Sequence, residues 1–296
     1  MASPVPALDR AMNIFGVLSK RPLARLTLSE ISRATGIHKA TCSSVLATMV
    51  SHGLIHRDDN RRYSIGSGLV KLGYAYTQRF APLVAGRTDV VELVAHTGLS
   101  CAVIGREDDE LIILDILGNP EPAHLQMRIG DRVPLVPPVG TIFKAWAGPE
   151  ELEDWLERMS REFGGQTATY QSAVAALRAR GFSLGGEHDF NMELEAAIRR
   201  AHQQGDDVRV MEVALIVASK IRNYNSAEGT DAEPVNSVIA PVFNSSGHVI
   251  TTLNLFGEFG KVRHSDLPGI VPHLLATAAR ITQKSSGILP PGFPLN

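Results

Sequence analysis

Two different spacings of apolar residues divide the chain. Between Ala7 and Lys20, the residues Leu8, Ala11, Met12, Phe15 and Leu18 recur at the helical interval, which predicts a core-facing helix ending before Arg21-Pro22. Thr27-Leu28-Ser29-Glu30 opens a short second helix, because a threonine N-cap followed three residues on by glutamate forms a capping box. Leu28, Ile31 and Ala34 are its expected inward positions. Gly36 then stands where a tight interhelical turn needs positive φ, with Ile37 to plug the corner. A third helix follows from His38. Its first turns (His38, Lys39, Ala40, Thr41, Ser43, Ser44) are small, polar or basic, its second half (Val45, Leu46, Met49, Val50) is apolar, and Gly53 caps it. The runs Leu54–Arg57 and Arg61–Ile65 flank the turn Asp58-Asp59-Asn60 and predict a hairpin.

Helix, helix, turn, helix and hairpin make a winged helix-turn-helix. A recognition helix has to expose its N-terminal turns to the major groove of double-stranded DNA while its C-terminal turns anchor it in the core, which is how the third helix divides. The expected DNA contacts are therefore His38, Lys39, Thr41, Ser43 and Ser44, joined by Arg57, Arg61 and Arg62 of the wing, whose phosphate contacts would give affinity rather than sequence choice. A solvated hairpin is the other reading of those arginines.

From about residue 82 the spacing changes to short β-rich runs between helices. Leu99–Ile104 and Leu111–Ile116 predict strands joined by the charged turn Glu107-Asp108-Asp109-Glu110, and His124–Arg128 predicts a third. Glu150–Met159 and Gln171–Arg180 predict amphipathic helices, the second capped by Gly181. Ser237–Phe243 and Val249–Phe256 predict strands across the turn Asn244–Gly247, before a last helix from Ser265 to about Lys284. Strands with helices packed on them define an α+β fold.

Charge sharpens this division. Residues 1–80 hold eleven Lys and Arg against four Asp and Glu, a net of +7, while the remaining residues hold eighteen against twenty-seven, a net of −9. A basic head on an acidic body suits a polyanion-binding domain joined to one that avoids the polyanion. No apolar run reaches the roughly 18 residues that span a bilayer and no signal peptide is evident, so the expected setting is the cytoplasm, without membrane contact. The two cysteines, Cys42 and Cys101, support neither a disulfide framework nor a zinc site.

Catalytic signatures (G-x-S-x-G, H-E-x-x-H, a phosphate-binding loop, a dinucleotide fingerprint) are missing, so neither catalytic residues, nor a cofactor, nor a metal site is expected. Glu187-His188-Asp189 comes nearest to a metal cluster and reads equally as a solvated turn. Two alternatives to a regulator stay open at this level: an enzyme carrying a winged helix, and a winged helix that binds protein rather than DNA.

The run LTLSEISRATGIHKATCSSVLATMVSHGLIHRDDNRRYSIGSGLVKLG, residues 26–73, closely resembles the DNA-binding domain of IclR-type bacterial regulators. Three segments of the body, RIGDRVPLVPPVGTIFKAWAG, ALRARGFSLGGE and SVIAPVFNSSGHVITTLNLFG, resemble the effector-binding domain of the same family. The resemblance implies a linker helix over Ser67–Phe80 and a GAF-like domain with an antiparallel sheet. It further implies a small-molecule effector, an organic acid or aromatic catabolite, and a homodimer or a tetramer of paired dimers. The domains expected are 1–66 winged helix-turn-helix, 67–81 linker helix and 82–296 effector binding and oligomerisation. Mapped onto this chain, the effector pocket would be lined by Gly140, Thr141, Ser237, Asn254 and Phe256.

The chain departs from the family pattern in several places. Ser44 stands where an arginine is frequent and Ala40 where serine is, which makes the operator sequence unpredictable. Ser237 occupies a common cysteine position, Phe256 a small polar one, and the Gly-Lys pair after the small-residue run is missing. Phe256, with Phe143 or Trp146, suits a larger or aromatic ligand, although the same aromatics also read as core. Between Phe182 and Ser237 lie fifty-four residues, more than the family uses. Their patterned part, about 189–228, includes a helix over Asp189–Gln204 and the one-sided apolar run Val208–Ile221, which would serve as a pocket lid, a dimer extension or a shield for the sheet.

Overall fold

A computed structural model describes residues 5–21, 23–118, 129–135, 140–163, 167–185, 237–257 and 262–295. The chain divides into two compact units, Met1–Arg79 and Phe80–Asn296.

The first unit contains α1 (Pro6–Ser19), β1 (Leu26–Thr27), α2 (Leu28–Thr35), α3 (Lys39–Ser51), β2 (Ile55–Arg57), β3 (Arg62–Ile65) and α4 (Gly68–Thr77). The capping box forms as spaced: the Glu30 N–H donates to Thr27 Oγ1 at 3.3 Å, and the Thr27 N–H donates to the Glu30 carboxylate at 2.7 Å. That backbone N–H, with the Thr27 hydroxyl, holds the Glu30 carboxyl below its ordinary range. Gly36 terminates α2 at φ 70°, the left-handed conformation the turn requires. Ile14, Leu18, Ile31, Cys42, Leu46, Met49, Ile55 and Tyr63 form the buried core.

The α1 stripe differs from the expected one. Ile14 and Leu18 are buried with Ala11 and Phe15 beside them, whereas Leu8 and Met12 are 61% and 58% exposed. At about 100° per residue, Leu8 and Met12 lie about 120° and 160° round the helix from Ile14, away from the side that packs on α2 and α3. Ala34 of α2 is also exposed rather than inward. The strands form an antiparallel sheet in the order β1-β3-β2, so the wing is anchored to the start of α2 through β1.

The second unit begins with a helix that the apolar spacing hid. The expected linker helix stops at Thr77, and after Phe80, in a non-helical conformation, α5 runs from Ala81 to Thr97. Pro82 explains the break, since a residue without an N–H is tolerated in the first turn of a new helix but not inside a continuing one. The buried positions of α5 include Asp89 among Leu83, Gly86, Val90 and Leu93, and this carboxylate interrupts the apolar pattern.

Beyond it come β4 (Ser100–Glu107), β5 (Glu110–Leu117), β6 (Arg132–Pro134), α6 (Thr141–Lys144), α7 (Pro149–Phe163), α8 (Thr167–Arg180), β7 (Ser183–Gly185), β8 (Ser237–Phe243), β9 (Val249–Phe256) and α9 (Leu267–Lys284). The strands make a six-stranded antiparallel sheet, β6-β5-β4-β9-β8-β7, and the fold is α+β. The strand expected at His124–Arg128 and the insertion at 189–228 lie outside the described residues.

The two faces of the sheet carry different partners. Alternation sends Val103, Thr251 and Leu253 to the face covered by α5 and α9, where Gly86 and Ile281 also lie. The opposite face holds a core of Leu111, Ile142, Phe143, Trp155, Leu156, Val174 and Leu177 beneath α6, α7 and α8. The end of the chain returns to that core: Phe293 packs tilted against Trp146 and edge-on against Phe243, at centroid distances of 5.8 and 5.3 Å.

Candidate functional site

The recognition surface begins at His38, which stands at the N-cap of α3 rather than inside it and makes no side-chain cap. Lys39, Ser43 and Ser44 are exposed, Thr41 is half-buried, and Cys42 in the same turns is fully buried. Cys42, Leu46 and Met49 fasten α3 to the core, leaving the polar side outward. Ser44 Oγ donates to the Ala40 carbonyl at 3.2 Å, so that hydroxyl is turned back onto its own helix.

The wing arginines are not equivalent. Arg57 lies 5.8 Å over the Tyr63 ring. Arg61 sits at the turn with φ 57°, its side chain exposed. Arg62 is engaged within the unit: Nη1 donates to the Arg25 carbonyl at 3.1 Å, and its N–H donates to Asp58 Oδ1 at 2.9 Å. That N–H, with the Arg25 guanidinium acting in the same direction against the cost of burial, holds the Asp58 carboxyl below its ordinary range. Arg25, 3.2 Å from Asp58 and 61% exposed, is a wing-side cation that sequence reasoning passed over. Only the fold brings it beside the hairpin, because the pairing of β1 with β3 carries Arg25 across.

In the second unit, three of the residues expected to line the pocket, Ser237, Asn254 and Phe256, lie on one sheet face. Asn254 and Phe256 share a face of β9, and register pairs them with Ala102 and Ser100 of β4. Ile239 of β8 pairs with Asn254, and Ser237, two residues before it and half-buried, shares that strand face. Thr141 opens α6, which packs against β9. Gly140 has a backbone role, with φ 79° and a site so close that an added Cβ would lie 2.3 Å from Leu135 Cδ1. Phe143 is buried in the core, and Trp146 is half-buried at its margin, edge-on to Phe243.

A buried cation lies close by in sequence. Lys144, the last residue of α6, reaches Glu151 of α7 at 2.5 Å and lies over the Trp155 ring at 5.6 Å, while Arg106 of β4 holds the same carboxylate at 3.1 Å. The Lys144 hydrogen bond is the main cause that lowers the Glu151 pKa, with burial opposing it and Arg106 assisting. Cys101 is fully buried, and burial pushes its thiol up to about 12, which leaves it without nucleophilic reactivity at neutral pH. Among the described residues no group of three His, Cys, Asp or Glu could hold a metal, and no helix is long and apolar enough to cross a membrane. Glu187-His188-Asp189 lies outside those residues.

An exposed polar half of α3 on a basic helix-turn-helix unit, followed by an α+β effector domain, defines a DNA-binding transcriptional regulator. Residues 7–59 match the IclR helix-turn-helix domain. The chain is 23% identical to the transcriptional regulator XynR of Escherichia coli over 89% of its own length and 90% of that protein. Its fold is similar to that of the IclR protein of Thermotoga maritima, with a TM-score of 0.65 at 16% identity, covering 94% of this chain and 98% of that one. An IclR homologue from Microbacterium hydrocarbonoxydans, solved with 4-hydroxybenzoate, gives a TM-score of 0.57 at 16% identity over 94% and 98%. Residues 7–59 are thus an IclR-type helix-turn-helix domain, and the relatives that the chain resembles over most of its length are transcriptional regulators.

Proposed function

We propose that the chain binds an operator in double-stranded DNA as a homodimer, or as a tetramer of paired dimers, in the cytoplasm, under the control of a small organic acid or aromatic catabolite. Residues 1–66 are the DNA-binding part, 67–81 the linker and 82–296 the effector-binding and oligomerising part. The observation that carries the DNA reading is the division of α3 between buried Cys42, Leu46 and Met49 and outward Lys39 and Ser43. His38, Lys39, Thr41, Ser43 and Ser44 read bases or neighbouring phosphates, and Arg57, Arg61 and Arg62 support the backbone contacts. A dimer presents two such helices to half-sites about one helical turn, or a multiple of it, apart.

The effector reading is supported by the shared sheet face of Ser237, Asn254 and Phe256, by Thr141 on the helix packed against β9, and by the 4-hydroxybenzoate held by the Microbacterium homologue. An effector bound there shifts operator affinity by favouring one of two states of the linked units. Footprinting on the DNA upstream of the protein's own gene, across a salt series and with aromatic and short-chain acids added, tests both parts. Protection that weakens steeply with salt and changes with an acid is the expected result. Absence of protection at every salt concentration would instead favour a protein-binding winged helix.

A further inference from the structure

Asn254 is the polar side chain on the effector face whose orientation the structure determines. It is 8% exposed, and its Nδ2 faces three acceptors at once: the Ala102 carbonyl at 3.2 Å, the Thr252 carbonyl at 3.3 Å and Thr252 Oγ1 at 2.9 Å. Flipping the amide would aim Oδ1 at two carbonyl oxygens, which have no hydrogen to give, so the flip replaces attraction with repulsion. Both Nδ2 hydrogens are thereby committed inside the protein. Oδ1 receives no hydrogen bond from the described residues, and it is the atom left to serve a ligand. This atom can only accept.

We propose that Asn254 is a specificity residue of the effector site that selects a neutral hydrogen-bond donor, a hydroxyl or an aryl amine, on the bound molecule. The inference rests on the reading of this sheet face as the effector site. It deepens that reading because an acceptor cannot hold a carboxylate: two oxygens without a shared proton repel. Any acid group of the effector lies elsewhere in the pocket, and the end that meets β9 carries the donor. Phe256, two residues on along the same face and buried, offers a flat apolar neighbour to the ring or chain bearing that donor.

Matched ligands test this on the intact wild-type protein. The meta- and para-hydroxybenzoates and aminobenzoates are titrated calorimetrically against the corresponding methoxybenzoates, which keep the ring and the acid but lack the donor. The expected result is at least about a tenfold preference for hydroxyl or amino over methoxy, the scale of a buried acceptor left unpaired. Asn254→Ala, checked for folding by circular dichroism, should collapse that preference, while Phe256→Ala should weaken both members of each pair equally. Equal binding of hydroxy and methoxy probes, both weakened by Phe256→Ala, overturns the role of Asn254 and leaves the effector face standing. Binding that neither substitution changes, or no binding by any probe, overturns the role of Asn254; the former also removes the face on which it rests.

Discussion

Lys284 Nζ lies 2.6 Å from the Asp89 carboxylate, tying the last turn of α9 to the middle of α5. Arg280 Nε reaches the same carboxylate at 3.2 Å, and Asp89 is 4% exposed. Burial pushes this carboxyl up, yet the hydrogen bonds from Lys284 and Arg280 outweigh it and hold the pKa below the ordinary value. A lowered folded-state pKa gives stability that is present above the unfolded value, near 4, and is lost as pH falls through the folded value. Asp89→Asn should therefore lower stability by about 1–2 kcal/mol at neutral pH, discounted because both cations are half-exposed, and by progressively less below about pH 4. Urea unfolding at several pH values measures both effects; a penalty independent of pH would contradict the assignment.

Thr251 gives a prediction of opposite sign. Its side chain is 1% exposed on the α5 and α9 face, and Oγ1 finds no hydrogen-bond partner among the described residues. Thr251→Val keeps the shape and removes a desolvated hydroxyl, so the variant should be more stable by about 1 kcal/mol in the same unfolding assay.

Two glycines of the first unit should respond in opposite directions to alanine. A Cβ at Gly66 would lie 2.3 Å from the Gly53 carbonyl oxygen and 2.7 Å from the Ile55 nitrogen, backbone atoms with little freedom to yield. Gly66→Ala is expected to cost about 2 kcal/mol or more. An added Cβ at Gly73, inside α4, meets none of the described residues within 4 Å, so Gly73→Ala should gain about 0.5–1 kcal/mol. Thermal unfolding of the two variants, run together, checks the contrast.

The unequal wing arginines separate in DNA binding. Arg61→Ala should weaken binding to all sequences alike and lower the salt slope by about one, with little change in stability. Arg62→Ala should also lower the melting temperature, because the Arg25 carbonyl loses its donor. Fluorescence anisotropy across a salt series, beside thermal unfolding, distinguishes them; equal melting temperatures for the two variants would show that the Arg62 contact adds nothing.

The sequence by itself determined what depends on near neighbours. The capping box at Thr27 and Glu30, the left-handed Gly36, the divided third helix and the strand pair β8–β9 are set by spacing of a few residues, and local backbone chemistry suffices to read them. Tertiary structure alone decided what depends on distant partners. Asp89 breaks the apolar pattern of α5 and is tolerated inside only because α9, nearly two hundred residues later, brings Arg280 and Lys284 to it. Leu8 and Met12 have helical spacing but no cover, since they lie round the helix from the side of α1 that packs on α2 and α3. Asn254 was legible as a candidate, but the direction of its amide, and so the chemistry it presents, comes from Ala102 on the neighbouring strand.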